Sequence, residues 1–203
     1  MPFFSSCRGR STQKRVAWLL NSAPRNLDPQ TARDESELIV IKNCFSGLFE
    51  KSEGGELVSS FVKHYDVSKN SLEYTFYLYD DIYWSIYEER QIKKYAPIKA
   101  DDFVFAIERL FTDNPDADVM AILKSIKNAD KVLEGEKLSK LGVKVINDTT
   151  FKITLSSKNS SFIDAFTNHA LFPCNRDFFK STSGRYGLSY DTMIFNGSFY
   201  LKA

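Results

Sequence analysis

The side chains best suited to acid, base or metal chemistry are scarce in this sequence and do not stand at catalytic spacings. His64 and His169 are the only histidines, and neither belongs to an HExxH motif or to a Cys/His cluster with metal-ligand spacing. A hydrolase would need a nucleophile beside a base, and only these two imidazoles could supply that base. The sequence therefore predicts no catalytic residue, no metal site and no cofactor, and we expect a protein that is not an enzyme.

Serine and carboxylate motifs also give no support to an active site. No GxSxG segment is present, and Asn196-Gly197-Ser198 does not have the form of a nucleophile elbow. The carboxylate pairs Asp80-Asp81 and Asp101-Asp102 are adjacent in sequence, and adjacent side chains on a strand or helix do not face one another. We interpret these pairs as turn and helix-start residues.

The three cysteines, Cys7, Cys44 and Cys174, are too few and too dispersed for a disulfide framework, and none forms a CxxC pair. Cys44 and Cys174 stand in apolar runs, where a buried and unreactive thiol is expected. Cys7 follows Phe4-Ser5-Ser6, which is either the remnant of a lipoprotein cleavage site or an ordinary polar leader with an incidental cysteine. Cys7 is therefore a possible site of lipid attachment.

Composition and charge limit the classes of partner. Hydrophobic residues make up 43% of the 203 positions, enough to bury the core of one large or two small domains. The 27 basic and 26 acidic residues are interspersed, so no long-range field favours nucleic acid or an acidic membrane surface. No segment approaches the ~20 apolar residues that cross a bilayer. We expect a globular protein that binds no nucleic acid and meets a membrane only through a possible lipid anchor.

Hydrophobic periodicity predicts a mixed succession of helices and strands. Leu38, Ile41 and Phe45 recur at helical spacing after the potential caps Asp34 and Ser36. Strands are predicted at 15–20, 57–65, 72–79, 143–146 and 150–155, and further helices at 99–111, 118–129 and 160–166. The irregular alternation indicates a mixed α/β class with a small, largely antiparallel sheet.

Six motifs follow one another in an order that is more specific than any one of them. They are Leu27-Asp28-Pro29; Ser46-Gly47-Leu48; Tyr74-Thr75-Phe76-Tyr77-Leu78 with Trp84-Ser85; Pro97 to Val104 followed by Arg109-Leu110; Asp148 to Leu155; and Asn196-Gly197-Ser198-Phe199-Tyr200-Leu201. From about residue 15 to residue 203 this order resembles the family 5 extracellular solute-binding proteins, which are the peptide- and nickel-binding proteins of ABC importers.

Three departures from that family stand out. An insertion, Ile86 to Ala96, replaces the Asp-Gly that follows Trp-Ser in the family, and we expect it to extend a loop. Ser198 replaces a proline in the last motif. Family members are also more than twice as long, so the resemblance implies an N-terminal fragment or a truncated gene product.

The resemblance implies a periplasmic-binding-protein-like (type II) lobe with an inserted small α+β subdomain, left incomplete. Residues 1–14 would be a polar leader or tether. Residues 15–47 and 168–203 would form the first lobe, and residues 48–167 the subdomain inserted into it. The second lobe would be absent.

In function, the resemblance implies extracytoplasmic binding of oligopeptides for import by an ABC transporter, at the cell surface as a lipoprotein or in the periplasm. The partners would be a short peptide ligand and the ABC permease subunits. The implied ligand-binding residues are Ala32, Arg33, Asp34, Glu35 and Ser36 as a peptide-contacting stretch; Asn196, Gly197, Ser198 and Phe199 as a cleft-edge strand; and Val119 and Met120, which would face the cleft or, for Met120, pack in the core.

Other functions of the same fold remain open at this point. The protein could be a peptide or pheromone sensor, a binding protein for a nickel chelate or an oligosaccharide, or an adhesion or structural fragment without a role in transport. Ligand-induced domain closure would separate the binding proteins from the last alternative.

Overall fold

The computed structural model describes residue 17, residues 19–113 and residues 115–201. The α-helices of these ranges are α1 (Glu35–Cys44), α2 (Ala100–Leu110), α3 (Ala117–Leu123), α4 (Ala129–Leu133) and α5 (Arg176–Ser181). The strands are β1 (Phe49–Lys51), β2 (Leu57–Ser59), β3 (Val62–Val67), β4 (Glu73–Leu78), β5 (Tyr83–Glu88), β6 (Gln91–Pro97), β7 (Val143–Asn147) and β8 (Thr150–Thr154). Short 3-10 helices occupy Leu138–Lys140, Asp164–Thr167, His169–Leu171 and Tyr190–Thr192.

A four-stranded antiparallel sheet of order β3-β4-β8-β7 forms the centre of the molecule. In β4, Tyr74, Phe76 and Leu78 are buried and alternate with less buried residues, because successive side chains of a strand point to opposite faces. Phe76 is paired with Phe151 of β8, and their rings stack. The described residues also form two smaller antiparallel sheets, β1-β2 and β5-β6.

Helix α2 covers the buried face of the sheet. Its residues Phe103, Ile107 and Leu110 are at most 1% exposed, and the ring of Phe103 stacks on Phe151 with a centroid separation of 5.7 Å. At 11 residues α2 is the longest of the described helices, and none of them has the length and hydropathy of a membrane-spanning segment. The aromatic stack therefore joins helix and sheet in one core.

The buried carboxylate of Asp102 fixes the start of α2. One of its oxygens accepts hydrogen bonds from the indole Nε1 of Trp84, at 2.8 Å, and from the backbone nitrogen of Lys99, at 3.0 Å. Asp102 is 4% exposed, and burial raises its pKa to about 6 from a usual 3.8. The folded protein consequently holds a proton that the unfolded chain releases between about pH 4 and pH 6.

This proton makes a testable contribution to stability. Because the folded-state pKa of Asp102 lies above the unfolded one, its contribution is complete below about pH 4 and is lost as the pH rises through about 6. In the variant Asp102→Asn, the side chain at this position stays neutral at every pH. The free energy of unfolding of the wild type minus that of the variant should therefore fall by about 2 kcal/mol between pH 4 and pH 7 in urea titrations. A difference that is constant with pH would contradict this account.

Most predicted elements are confirmed. Helix α1 begins after the cap Asp34, β4 lies within the predicted strand 72–79, α2 lies within 99–111, and β7 and β8 form the predicted hairpin around residues 147–148. The thiols of Cys44 and Cys174 are buried, and burial raises the pKa of each to about 12.

Five predicted elements need correction, beginning with the strand 57–65, which is divided into β2 (Leu57–Ser59) and β3 (Val62–Val67). The insertion 86–96 forms most of the β5-β6 hairpin instead of a loop. The predicted helix 118–129 is split, because α3 ends at Leu123 and α4 begins only at Ala129. The predicted helix 160–166 is reduced to the 3-10 helix Asp164–Thr167. Half of the predicted strand 15–20 lies outside the described residues. Its described residues, Ala17, Leu19 and Leu20, are not in a strand, and Leu19 is fully exposed rather than buried.

Candidate functional site

The stretch before α1 is held in place by the helix that follows it. Asp34 caps α1 by accepting a 2.8 Å hydrogen bond from the backbone nitrogen of Ser36, which lowers the pKa of Asp34. The carboxylate of Glu37 accepts hydrogen bonds from the backbone nitrogens of Asn26, Arg33 and Asp34. This capping box fixes the backbone of the predicted peptide-contacting residues.

An ion pair joins this stretch to α3. The Nε of Arg33 lies 2.7 Å from a carboxylate oxygen of Asp116, the residue that precedes α3. A terminal nitrogen of Arg33 also donates to the carbonyl of Ala32 at 2.8 Å. The structure therefore brings the predicted residues 32–36 close to the helix that carries Val119 and Met120.

The predicted residues of this region differ in what they can offer a ligand. Arg33, Asp34 and Glu35 are exposed, Ser36 is buried, and Met120 is half-buried. Ala32 is 0% and Val119 3% exposed, so their side chains pack in the core and present almost no surface. A ligand at this place would meet mainly the charged side chains and the backbone.

Residues 196–199 lie at the other end of α1. The backbone nitrogens of Gly197 and Phe199 donate to the carbonyls of Cys44, at 2.9 Å, and Asn43, at 3.1 Å. Asn196 exchanges two hydrogen bonds with the backbone of Ser46 through its side-chain amide. These contacts satisfy carbonyls that the last turn of a helix leaves free.

The cleft-edge strand predicted at 196–199 is not formed. These residues follow an isolated bridge between Ser85 and Phe195 and run as bends and irregular backbone, because their backbone nitrogens bond to the end of α1 and not to a neighbouring strand. The backbone approach is so close that a Cβ on Gly197 would lie 2.6 Å from the carbonyl carbon of Cys44. Ser198 and Phe199 remain exposed.

The two predicted patches are thus separated by the length of one helix. A ten-residue α-helix such as α1 is about 15 Å long. Residues 32–36 stand at its N-terminal end beside α3, and residues 196–199 stand at its C-terminal end. The structure brings the first stretch together with α3 but not with 196–199.

Sequence reasoning missed a buried ionic network beneath the N-terminal patch. The guanidinium of Arg109 donates to both carboxylate oxygens of Asp28, at 3.1 and 2.5 Å, and to the side-chain oxygen of Gln30 at 2.7 Å. Asp28 and Arg109 are 5% and 6% exposed. Both stand in motifs that the sequence singled out, Leu27-Asp28-Pro29 and Arg109-Leu110, but neither motif indicates that the two charges pair.

An open pocket of about 410 Å³ borders this network. It is lined by Asn26, Asp28, Thr31, Arg109, Asp113, Phe179, Gly184, Tyr186 and Leu188. None of the predicted ligand-binding residues belongs to it. Its charged groups bind one another, and the guanidinium of Arg109 also stacks 4.0 Å above the ring of Phe179. The pocket is therefore a feature of the ionic network and not of the predicted site.

Comparison with known proteins places these features in a family. Residues 56–203 match the pattern of the bacterial extracellular solute-binding proteins, family 5 Middle. The chain is 31% identical over 184 residues to the oligopeptide-binding protein SarA of Streptococcus gordonii, covering 89% of this chain and 27% of SarA. It is 30% identical over 187 residues to the periplasmic murein peptide-binding protein MppA of Escherichia coli, covering 90% of this chain and 33% of MppA.

A solved structure agrees with the architecture. Listeria monocytogenes OppA bound to peptide superposes with a TM-score of 0.77 and 25% identity over 88% of this chain and 34% of OppA. The fold is therefore that of a periplasmic-binding-protein-like lobe, as predicted. The chain spans about a third of the length of these proteins.

Proposed function

This chain belongs to the family 5 bacterial extracellular solute-binding proteins, and from that membership we propose that it binds short peptides outside the cytoplasm for import by an ABC transporter. The observation that carries the proposal is its likeness to proteins named for peptide binding, SarA and MppA, together with the superposition on a peptide-bound OppA.

We propose that residues 32–36 and 196–199 contact the ligand. The distance of about 15 Å along α1 between these patches equals the length of an extended peptide of about five residues. The fixed backbone at both places suits recognition of a ligand main chain, which is independent of the ligand's side chains. The exposed charges of Arg33, Asp34 and Glu35 would then favour ligands with complementary charges.

The proposed division into a lobe of residues 15–47 and 168–203, with residues 48–167 inserted, is supported by contacts across the chain. The side chain of Gln30 donates to the carbonyls of Ala170 and Phe172, and that of Asn196 bonds Ser46. His169 donates from Nδ1 to the carbonyl of Pro29 at 2.7 Å, and burial lowers the pKa of this imidazole. The early and late segments thus share hydrogen bonds over separations of up to 150 residues.

The partners and location follow from the same proposal. A peptide-binding protein of an importer works with the permease subunits, acts outside the cytoplasm, and carries out no chemical reaction itself. The possible lipid attachment at Cys7 lies outside the described residues and stays a prediction.

Peptide binding can be tested residue by residue on the 203-residue chain. A pool of short peptides should shift the backbone amide NMR signals of residues 32–36 and 196–199 while leaving those of the turn 52–56, which is outside both patches, unchanged. Because relatives are about three times as long, we expect weak binding by these 203 residues alone, and calorimetric titration of any longer product of the same gene should show stronger binding.

The results of these two experiments distinguish an error in the proposed site from an error in the proposed function. Peptide-induced shifts in other residues would overturn the site but keep the function. If peptides caused no shift of NMR signals in the 203-residue chain and no heat of binding in calorimetry of the longer product, peptide binding itself would be overturned.

A further inference from the structure

A dense group of lysines occupies the surface beside the start of β7 and the end of β8. Within residues 124–144, Lys124, Lys127, Lys131, Lys137, Lys140 and Lys144 are all exposed. The same stretch holds three acidic residues, Asp130, Glu134 and Glu136, so its formal charge is +3. We call residues 124–144 the lysine patch.

Backbone contacts bring the segments of the lysine patch together. The nitrogen of Gly142 donates to the carbonyl of Lys127 at 2.8 Å, and the side-chain amide of Asn128 donates to the carbonyl of Lys140 at 2.7 Å. Lys131 lies in the helix that follows Asn128 directly. Lysines that are distant in sequence therefore stand on neighbouring segments.

The positive charge of the patch is not neutralised within the described residues. Lys93, Lys99 and Lys152 form ion pairs elsewhere on the surface, but none of the six patch lysines has a carboxylate oxygen within 4.0 Å in those ranges. The whole chain has a net charge of only +1, so all residues outside the patch together carry a charge of −2. The net charge of the whole chain is thus close to zero although the patch carries a local excess of positive charge.

The side chains within the patch indicate what kind of surface it suits. It contains no arginine and no aromatic residue. Sites for single-stranded nucleic acid rely on aromatic and arginine stacking, and protein interfaces take most of their energy from tryptophan, tyrosine and arginine. Lysine is a flexible point charge that needs no fixed partner geometry, which suits a fluid layer of phosphate headgroups. Leu133 and Ile146, 40% and 51% exposed, lie in α4 and at the end of β7, within or beside the patch.

We propose that the lysine patch docks the protein on a membrane surface that contains anionic phospholipids. The docking is independent of any lipid attached at Cys7 and of the peptide site. Six lysines against three acidic residues give a multivalent attraction that decays within a Debye length, so the protein lies close to the headgroups at low salt and is released at high salt.

Vesicle co-sedimentation of the 203-residue chain tests this proposal. The probes are vesicles of phosphatidylcholine alone and of phosphatidylcholine with phosphatidylglycerol, at about 50 mM and about 300 mM salt. We expect binding only to the anionic vesicles and only at low salt. The triple variant Lys131→Gln, Lys137→Gln and Lys140→Gln should weaken that binding about ten-fold or more.

A second triple variant serves as the matched control. Lys51→Gln, Lys63→Gln and Lys69→Gln remove the same formal charge from exposed lysines outside the patch, and this variant should bind the anionic vesicles like the wild type. An equal loss in both variants would overturn the proposal, because net charge alone would then explain binding. Absence of binding to anionic vesicles would also overturn it, as would binding to an acidic protein such as polyglutamate without binding to vesicles.

Discussion

Replacing Arg109 by leucine is expected to lower the free energy of unfolding by about 3–5 kcal/mol, because the change leaves the carboxylate of Asp28 buried without its charge partner. Asp28 is 5% exposed and takes two hydrogen bonds from this guanidinium, which is its cationic partner. Urea unfolding followed by intrinsic fluorescence measures the effect, since Trp84 is fully buried in the core.

Two further variants make this result specific. Lys152→Leu removes a cation from a partly exposed pair with Glu73, and surface pairs contribute at most about 1 kcal/mol, so this variant should unfold almost like the wild type. The double variant Asp28→Leu with Arg109→Leu removes both buried charges and should recover part of the loss. If Arg109→Leu lowered the free energy of unfolding by less than about 1 kcal/mol, the ion pair of Asp28 and Arg109 would not stabilise the fold as we infer.

Replacing Gly187 by alanine should destabilise the protein by about 2–5 kcal/mol, for two reasons that add. Gly187 has a φ of +79°, which costs an L-residue about 1–2 kcal/mol. A Cβ at this position would also lie 2.4 Å from the backbone nitrogen of Asp28, and a backbone cannot move aside as a side chain can. The collision would displace the residue that pairs with Arg109.

Gly184 supplies the matched control for that prediction. Its φ is +83°, but a Cβ there would meet no atom within 4 Å. Gly184→Ala should therefore lower the free energy of unfolding only by the cost of a positive φ angle, about 1–2 kcal/mol. The difference between the two variants in urea unfolding measures the collision alone, and equal losses would contradict the close approach of Gly187 to Asp28.

Local signals in the sequence predicted local structure well. The alternation of Tyr74, Phe76 and Leu78 identified β4, and the cap Asp34 identified the start of α1. The insertion 86–96 was mistaken for a loop because its turn residues, Glu89 and Arg90, adopt positive φ angles of 50° and 63° without the glycine or asparagine that usually marks a tight hairpin.

Long-range contacts could not be read in the same way. The pairing of Asp28 with Arg109 joins residues 81 positions apart, and the close approach of Gly197 to Cys44 depends on how two distant segments meet. The resemblance to a family identified the fold and proposed ligand-contacting residues, but it did not show that residues 196–199 bond to the end of α1. Those contacts follow from tertiary packing and have no periodic signature.

The hydrogen bonds between Asn196 and Ser46 also limit how early during synthesis the segment after α1 can complete its contacts. These residues are 150 positions apart, so at a ribosomal rate of about 5–20 residues per second the end of α1 waits roughly 8–30 s before its partner is made. During that interval the carbonyls of its last turn have only water as a partner. Folding dominated by such distant closures is intrinsically slow, and nascent chains would depend on protection from aggregation until residue 196 has emerged.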